Sequence, residues 1–108
     1  MRVFMVPHPN GPDAQTGIGG ISTTLRAYAK VLPKYGIDFV DTEEEADLIA
    51  VHAGAYIPKD SRKPLVAMCH GLYFTGDYTA KPFEYEMNQH VIEVLRRADT
   101  IVVPSNWV

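Results

Sequence analysis

The sequence predicts an α/β fold built on an open parallel sheet of about five strands, with helices on both faces. Short apolar runs alternate with stretches of helical periodicity along the 108 residues. Several of these runs are apolar on both faces, as in strands that are covered from both sides. Prolines, glycines and histidines collect where the runs end, which is where loops are expected.

The composition is that of an ordinary soluble domain. Hydrophobic residues make up 46%, charged residues 21%, and the net charge is −3, so no overall basic field would attract nucleic acid. No apolar run reaches the roughly 20 residues that cross a bilayer, and the N-terminal residues lack a signal-peptide pattern. We therefore expect a cytoplasmic protein without a transmembrane segment. The single cysteine, Cys69, stands among apolar neighbours, which predicts a small buried side chain.

The first strand is predicted at residues 2–6, an apolar run bounded by prolines. Residues 7–20 follow as a long loop. Its three prolines and four glycines predict that it has no regular structure. Loops of this length inside a compact domain are usually functional.

A first helix is predicted after the loop, because apolar residues recur at helical spacing. One face carries Ile21, Leu25, Tyr28, Ala29 and Leu32. Pro33 should end this helix, and Gly36 follows as its C-terminal cap. A second strand is predicted at residues 37–40.

Thr42 and Glu45 have the spacing of a capping box, which predicts a brief helical turn over residues 43–46. The glutamates of this turn are expected on a solvated surface rather than as metal ligands. Residues 47–52 and 64–69 are predicted as two buried strands, since both runs are apolar on both faces.

Pro82 opens a second predicted helix that extends to residue 98. Its apolar face carries Phe83, Met87, Val91, Val94, Leu95 and Ala98. A fifth strand follows at residues 100–103. This order of elements predicts a Rossmann-like sheet with right-handed crossovers, with the two helices on opposite faces. Ser105 would cap a further helix, and the chain stops within that helix, so we expect it to be part of a longer protein.

Ligands of open parallel sheets bind at the carboxyl ends of the strands. The residues predicted there are His8, Asn10 and the glycine run 17–20 after strand one, His52 after strand three, His70 and Gly71 after strand four, and Ser105 after strand five. Gly19 and Gly20 open the first helix, where free N–H groups would favour a phosphate. The alternative is that these glycines only allow a tight entry into the helix.

His70 is the strongest candidate for a reacting group. It precedes Gly71 and a loop at residues 72–82 with three aromatic side chains, which suit sugars and lipids. The structural alternative is a histidine that hydrogen-bonds a neighbouring backbone. For His52 the two interpretations are balanced, and for His8 and His90 the functional one is weaker. No zinc-binding or P-loop spacing occurs, so neither a metal nor P-loop chemistry is expected.

Four segments together resemble the retaining GT-B glycosyltransferases of family 4. They are Gly19-Gly20-Ile21 after the first strand, the strand end Asp47 to Gly54, the pair His70-Gly71 after an apolar strand, and the stretch from Arg96 to Val108. The last stretch, with Ala98-Asp99 before the fifth strand and Ser105 after it, is the most specific. The resemblance spans nearly the whole chain.

The resemblance implies an N-terminal, acceptor-side domain of an enzyme that moves a sugar from a nucleotide-sugar to a sugar or lipid acceptor. His70 would be the catalytic residue near the transferring sugar, and Gly19 and Gly20 would lie near the donor diphosphate. His52, Gly71 and Ser105 would complete the substrate-binding set. The nucleotide-sugar is a co-substrate, and no other cofactor is implied. The family's donor-binding C-terminal domain is not in this chain, so we expect the 108 residues alone to be inactive.

Two other functions stay open. Residues 17–22 approach a dinucleotide-binding glycine pattern, and Asp41 ends strand two where a ribose-binding acid would sit. Against this, Ser22 replaces the third glycine and ten residues separate Val6 from Gly17. The fold could also serve only as a non-catalytic binding module.

Overall fold

The computed structural model describes residues 1–16, 20–59, 62–69 and 81–103. The elements are β1 (Arg2–Val6), α1 (Pro12–Thr16), α2 (Gly20–Val31), a 3-10 turn (Leu32–Tyr35), β2 (Asp38–Phe39), β3 (Leu48–His52), β4 (Leu65–Met68), α3 (Pro82–Arg97) and β5 (Thr100–Val102). All five predicted strands are present, most of them slightly shorter than predicted. Within the described residues, no helix is long and apolar enough to cross a membrane.

The strands form one parallel sheet in the order β2-β1-β3-β4-β5. β1 lies between β2 and β3, with Val3 paired to Phe39 on one side and to Leu48 on the other. β3 then pairs with β4, and β4 with β5. The predicted open parallel sheet of an α/β fold is therefore confirmed, and the carboxyl ends of all five strands share one edge.

Alternate residues of β3 belong to two separate cores. Ala50 belongs to the first core, which also contains Leu25 of α2. Ile49 and Val51 belong to the second core, together with Val94 of α3. Because successive side chains of a strand point to opposite faces, α2 and α3 cover opposite faces of the sheet, as predicted.

The end of α2 follows the prediction, but its buried face is rotated. The helix gives way to the 3-10 turn, and Gly36 caps that turn at a φ of 81° with its N–H donating to the Pro33 carbonyl at 3.1 Å. Ser22 is buried and Leu25 is fully buried, whereas Ile21 is 42% exposed. The prediction that Ile21 lies on the buried face was therefore wrong.

The prediction of an irregular loop before α2 was also wrong in part, because α1 forms inside it. Pro12 opens this short helix, where its missing N–H is not needed. The amides of Ala14 and Gln15 donate to the Gly11 carbonyl, each at 3.2 Å. The glycine run thus follows a helix rather than a continuous loop.

Helix α3 begins at the predicted proline. Glu84 accepts a hydrogen bond from the backbone N–H of Lys81 at 3.3 Å, as in a capping box. Val91 and Val94 are buried as predicted, and Asn88 is buried beside them. Phe83 is 51% exposed, so its predicted place on the buried face was wrong.

Candidate functional site

The carboxyl edge of the sheet collects several of the predicted site residues. His8 and Asn10 follow β1, and His52 ends β3. Cys69 follows β4 and is buried, as predicted. Gly20 is the first residue of α2, so the positive end of this twelve-residue helix lies at the same edge.

Several predicted site residues lie outside the described part of the chain. They are Gly19, His70, Gly71 and Ser105. Their roles stay predictions. The structure shows only the described residues next to these segments, which are Gly20, Cys69 and Val103.

His52 lies beneath the surface rather than on it. Its side chain is 1% exposed, and its ring centroid is 6.3 Å from that of Tyr28 on α2. It pairs in register with Met68 of β4. The role of His52 in substrate binding stays a prediction, and its burial fits an indirect role, through the packing of α2 on the sheet, better than direct contact.

The turn after β3 lies at the carboxyl edge of the sheet and close to α3. Ala53 donates its N–H to the Met68 carbonyl at 2.9 Å, which ties the turn to β4. Gly54 has a φ of 99°, a conformation that favours glycine. A Cβ at Gly54 would lie 3.0 Å from Met87 Sδ and 3.2 Å from Val91 Cγ2. This glycine therefore allows the close approach of the turn to α3.

Arg26 joins the two helices that flank the glycine run. Its Nη1 donates to the Ala14 carbonyl of α1 at 2.8 Å, and its Nη2 donates to Thr23 Oγ1 at 3.3 Å. A guanidinium that donates to a carbonyl on a second helix fixes the separation of the two helices. Arg26 thus links α1 to α2, the helices that end before and begin within the predicted phosphate-binding run.

His8 makes contacts that its sequence position alone does not show. Its Nδ1 accepts a hydrogen bond from the Asn10 N–H at 3.0 Å. Its Nε2 lies 3.4 Å from Asp41 Oδ1, at the end of β2. Within the described residues Nε2 makes no hydrogen bond, so this pair is a polar contact without hydrogen-bond geometry. His8 thus connects the loops that follow β1 and β2.

A cavity of about 490 Å³ opens beside this contact. Its lining includes Phe4 and Met5 of β1 and, beyond the strand ends, His8, Asn10 and Asp41. Sequence reasoning gave His8 little weight and considered Asp41 only for a dinucleotide. The sequence does place both residues just after predicted strands. Only the sheet order shows that these two strands, β1 and β2, are neighbours.

A second cavity, of about 310 Å³, lies between α2 and the sheet. Its lining is almost entirely apolar and includes Leu32, Val66 and Val102. It offers few groups that could orient a polar substrate. The described residues also contain no group of three or more side chains that could hold a metal ion.

Glu43 corrects the expectation of a solvated glutamate cluster. It is 8% exposed, and its carboxylate accepts hydrogen bonds from the Tyr56 hydroxyl and from the Lys59 N–H, the latter at 3.0 Å. The hydrogen bond to the Glu43 carboxylate, followed by burial, raises the pKa of Tyr56 to about 12. Tyr56 also packs edge-on against Phe4 of β1. This cluster fixes the loop between β3 and β4 on the sheet.

A family model described as Glycosyltransferase Family 4 matches residues 2–108. The match covers every strand and helix of the described fold. No curated protein and no solved structure gave a significant match.

Proposed function

The chain belongs to Glycosyltransferase Family 4, and from this premise we propose that it is the acceptor-side half of an enzyme that transfers a sugar from a nucleotide-sugar to an acceptor hydroxyl. The family match across residues 2–108 is the observation that carries this proposal. The parallel sheet supports it, because such sheets bind ligands at the carboxyl edge where the predicted site residues collect.

In the proposed reaction the bond between the anomeric carbon and the diphosphate oxygen breaks, and a bond from that carbon to the acceptor oxygen forms. The nucleoside diphosphate leaves, and the proton of the acceptor hydroxyl passes to its departing oxygen or to water. We assign His70 to the transferring sugar, Gly19 and Gly20 to the diphosphate, and Gly71 and Ser105 to the surrounding substrate contacts. A second α/β domain outside these 108 residues would hold the donor, and neither a metal nor another cofactor is assigned.

The dinucleotide-binding alternative is less favoured by the fold. In that motif the glycine-rich turn follows the first strand directly and opens a helix. Here α1 stands between β1 and Gly20. A non-catalytic binding module is the other candidate function for a domain of this fold, and the experiments below separate it from an enzyme.

The coding sequence that follows residue 108 gives the first test. A second α/β domain with spaced glutamates supports transfer, and its absence would favour a binding module. The second test is release of nucleoside diphosphate from uridine and guanosine diphosphate sugars by the whole protein, with and without hydroxylated acceptors. Release that no acceptor stimulates would contradict the proposal.

His70→Ala in the whole enzyme tests the assigned catalytic residue. A polar contact that strengthens as charge develops lowers turnover when it is lost, so we expect kcat to fall by roughly tenfold to a thousandfold with little change in KM. The melting temperature of the same preparation is the control. A destabilised variant with normal kcat would remove His70 from the site.

A further inference from the structure

Asn88 is a polar side chain buried in the apolar interface between α3 and the sheet. It is 8% exposed, and Val91 and Val94, which follow it on the same side of the helix, are buried as well. A carboxamide has two N–H donors and one acceptor oxygen, and burying it is costly unless these groups are hydrogen-bonded. An aliphatic side chain would fill the same place without that cost. The amide at this position therefore points to a role beyond packing.

The position of Asn88 along α3 places it at the carboxyl edge of the sheet. Val94 shares a core with Ala67 of β4. Because α3 runs against the strands and rises about 1.5 Å per residue, Asn88 lies roughly 9 Å nearer the carboxyl edge than Val94. Cys69 lies about 6.6 Å beyond Ala67, at about 3.3 Å per strand residue. Asn88 and the end of β4 are therefore at nearly the same height.

The turn after β3 gives the same height for Asn88. A Cβ on Gly54 would lie 3.0 Å from Met87 Sδ and 3.2 Å from Val91 Cγ2. These two side chains stand one residue before Asn88 and three residues after it. The turn is also tied to β4 by the hydrogen bond that the Ala53 N–H donates. Asn88 is thus located where α3 passes the ends of β3 and β4.

The end of β4 presents its side chain to the face that α3 covers. Leu65 and Ala67 belong to the α3 core, and Met68 belongs to the α2 core. Cys69 is buried, and by the same alternation its side chain points towards α3. Its N–H donates to the Val102 carbonyl at 2.9 Å, so the pairing with β5 extends to this residue. The strand end and the buried amide therefore share one face and one height.

Strand β5 cannot supply a partner for the Cys69 carbonyl. In a parallel ladder, the residue that accepts from the Cys69 N–H is followed two positions later by the residue that donates to the Cys69 carbonyl. The accepting residue is Val102, so the donor position is Pro104, which has no N–H. The backbone that leaves β4 here needs a donor from outside the sheet, and a carboxamide N–H on α3 is a group of that kind. His70 is the next residue in the chain.

We propose that Asn88 is a positioning residue for His70, because its carboxamide holds the backbone that leaves β4 at Cys69. The proposal rests on the proposed glycosyltransferase function, in which His70 contacts the transferring sugar. It deepens that function by naming the residue that sets the place of the imidazole. Since Asn88 is buried, its loss should act on turnover through His70 rather than on substrate binding.

The kinetic test uses variants of the whole enzyme. Asn88→Leu removes the amide and keeps much of the volume, Asn88→Ser removes it with a smaller side chain, and Asn88→Gln keeps an amide. Val91→Ala, on the same buried side of α3, is the control for a general loosening of the helix. Nucleoside diphosphate release from uridine and guanosine diphosphate sugars gives kcat and KM. We expect kcat to fall roughly tenfold to a hundredfold in Asn88→Leu and Asn88→Ser, with little change in KM. Asn88→Gln should recover part of this loss, and Val91→Ala should keep a kcat near normal.

A measurement on His70 itself separates positioning from stability. In the whole enzyme with histidines ¹³C-labelled at the ε1 carbon, the His70 resonance is the one missing from the spectrum of His70→Ala. Asn88→Leu and Asn88→Ser should shift this resonance, whereas Val91→Ala should leave it in place even where it lowers the melting temperature as much. Should both loss variants fail to fold, Asn88→Gln, which displaces the amide by one methylene, must still shift the His70 resonance.

The proposal is overturned if the His70 resonance stays in place in the folded Asn88 variants, if it moves equally in Val91→Ala, or if Asn88→Leu and Asn88→Ser keep a normal kcat. The spectra do not depend on turnover, so they separate this failure from failure of the proposed function. A His70 resonance that depends on Asn88 in a protein without any transfer would leave the positioning standing and refute the function. Transfer at a normal rate with an unmoved resonance would refute the positioning and leave the function standing.

Discussion

Among single residues, Glu43 shows how a charged side chain can serve the scaffold. A buried carboxylate is costly unless hydrogen bonds replace the lost water. Tyr56 and Lys59 supply two such hydrogen bonds, and Lys63 Nζ donates to the Glu43 carbonyl. Three points of the loop between β3 and β4 are thereby attached to one residue, which keeps that loop on the sheet.

The Tyr56 hydroxyl should titrate near pH 12 rather than near its ordinary value of about 10. Because the folded pKa is raised, the stabilisation is complete below about pH 10 and is lost as the pH rises towards 12. Ultraviolet absorbance of phenolate, taken as the difference between the native chain and Tyr56→Phe, measures this directly. Glu43→Gln should return the midpoint towards 10, whereas Glu44→Gln, which removes only the smallest of the causes, should lower it much less. A Tyr56 midpoint near 10 in the native chain would contradict the assignment.

Gly36 and Gly54 both have a positive φ. Substituting each in turn tests how much the close approach of Gly54 to α3 contributes. Gly36→Ala should lower the free energy of unfolding by about 1–2 kcal/mol, which is the strain of a left-handed alanine alone, because nothing lies within 4 Å of the added Cβ. Gly54→Ala should cost at least about 1 kcal/mol more, since its Cβ would also meet Met87 and Val91. Urea unfolding of both variants measures the difference. Equal losses would show that Met87 and Val91 move aside freely.

Between elements, the sequence predicted strands better than it predicted the details of helices. The runs at β3 and β4 are apolar on both faces, and only a sheet covered on both sides uses such runs at that length. Helical periodicity defines an apolar arc but not its centre. Ser22 and Asn88 are buried, whereas Ile21 and Phe83 are largely exposed. The buried face of each helix is therefore rotated from the predicted face towards a polar residue.

Helix α1 and the polar cavity could not be predicted from local sequence for a related reason. A five-residue helix is marginal alone, and this one is held by Arg26, which lies ten residues after Thr16 in the chain and donates to Ala14. The contact between His8 and Asp41 depends on β1 and β2 being neighbours in the sheet. Such features follow from tertiary pairing rather than from propensity.

Arg26→Met tests whether the guanidinium holds α1. Loss of a charged hydrogen bond worth about 1.5–3 kcal/mol should increase local opening roughly tenfold to a hundredfold. Hydrogen exchange at the amides of Ala14 and Gln15 measures this opening. Lys30→Met, in the last turn of α2, is the control and should leave these amides unchanged. Unchanged exchange in Arg26→Met would mean that α1 is held by its own packing.

For the molecule as a whole, five of the ten lysines and arginines lie away from the proposed site. Arg2 opens β1, Lys30 and Lys34 lie at the end of α2 and in the 3-10 turn, and Arg96 and Arg97 end α3. Because strands and covering helices run in opposite directions, these residues are on the amino side of the sheet. The carboxyl edge offers a diphosphate the N-termini of α2 and α3, with Lys81 before α3, while the nearby Arg26 guanidinium already donates to Ala14 and Thr23.

This charge distribution predicts that the 108 residues alone bind nucleotide-sugars weakly. A diphosphate carries two or more negative charges, and tight binding needs cationic side chains or several aligned N–H groups. Isothermal titration calorimetry with uridine and guanosine diphosphate sugars should show dissociation constants of about 1 mM or weaker, less than about 4 kcal/mol of binding free energy. Inorganic pyrophosphate, as a probe of the diphosphate alone, should bind no better. Micromolar affinity for a nucleotide-sugar would show that this domain holds the donor by itself, and would contradict the assignment of donor binding to a second domain.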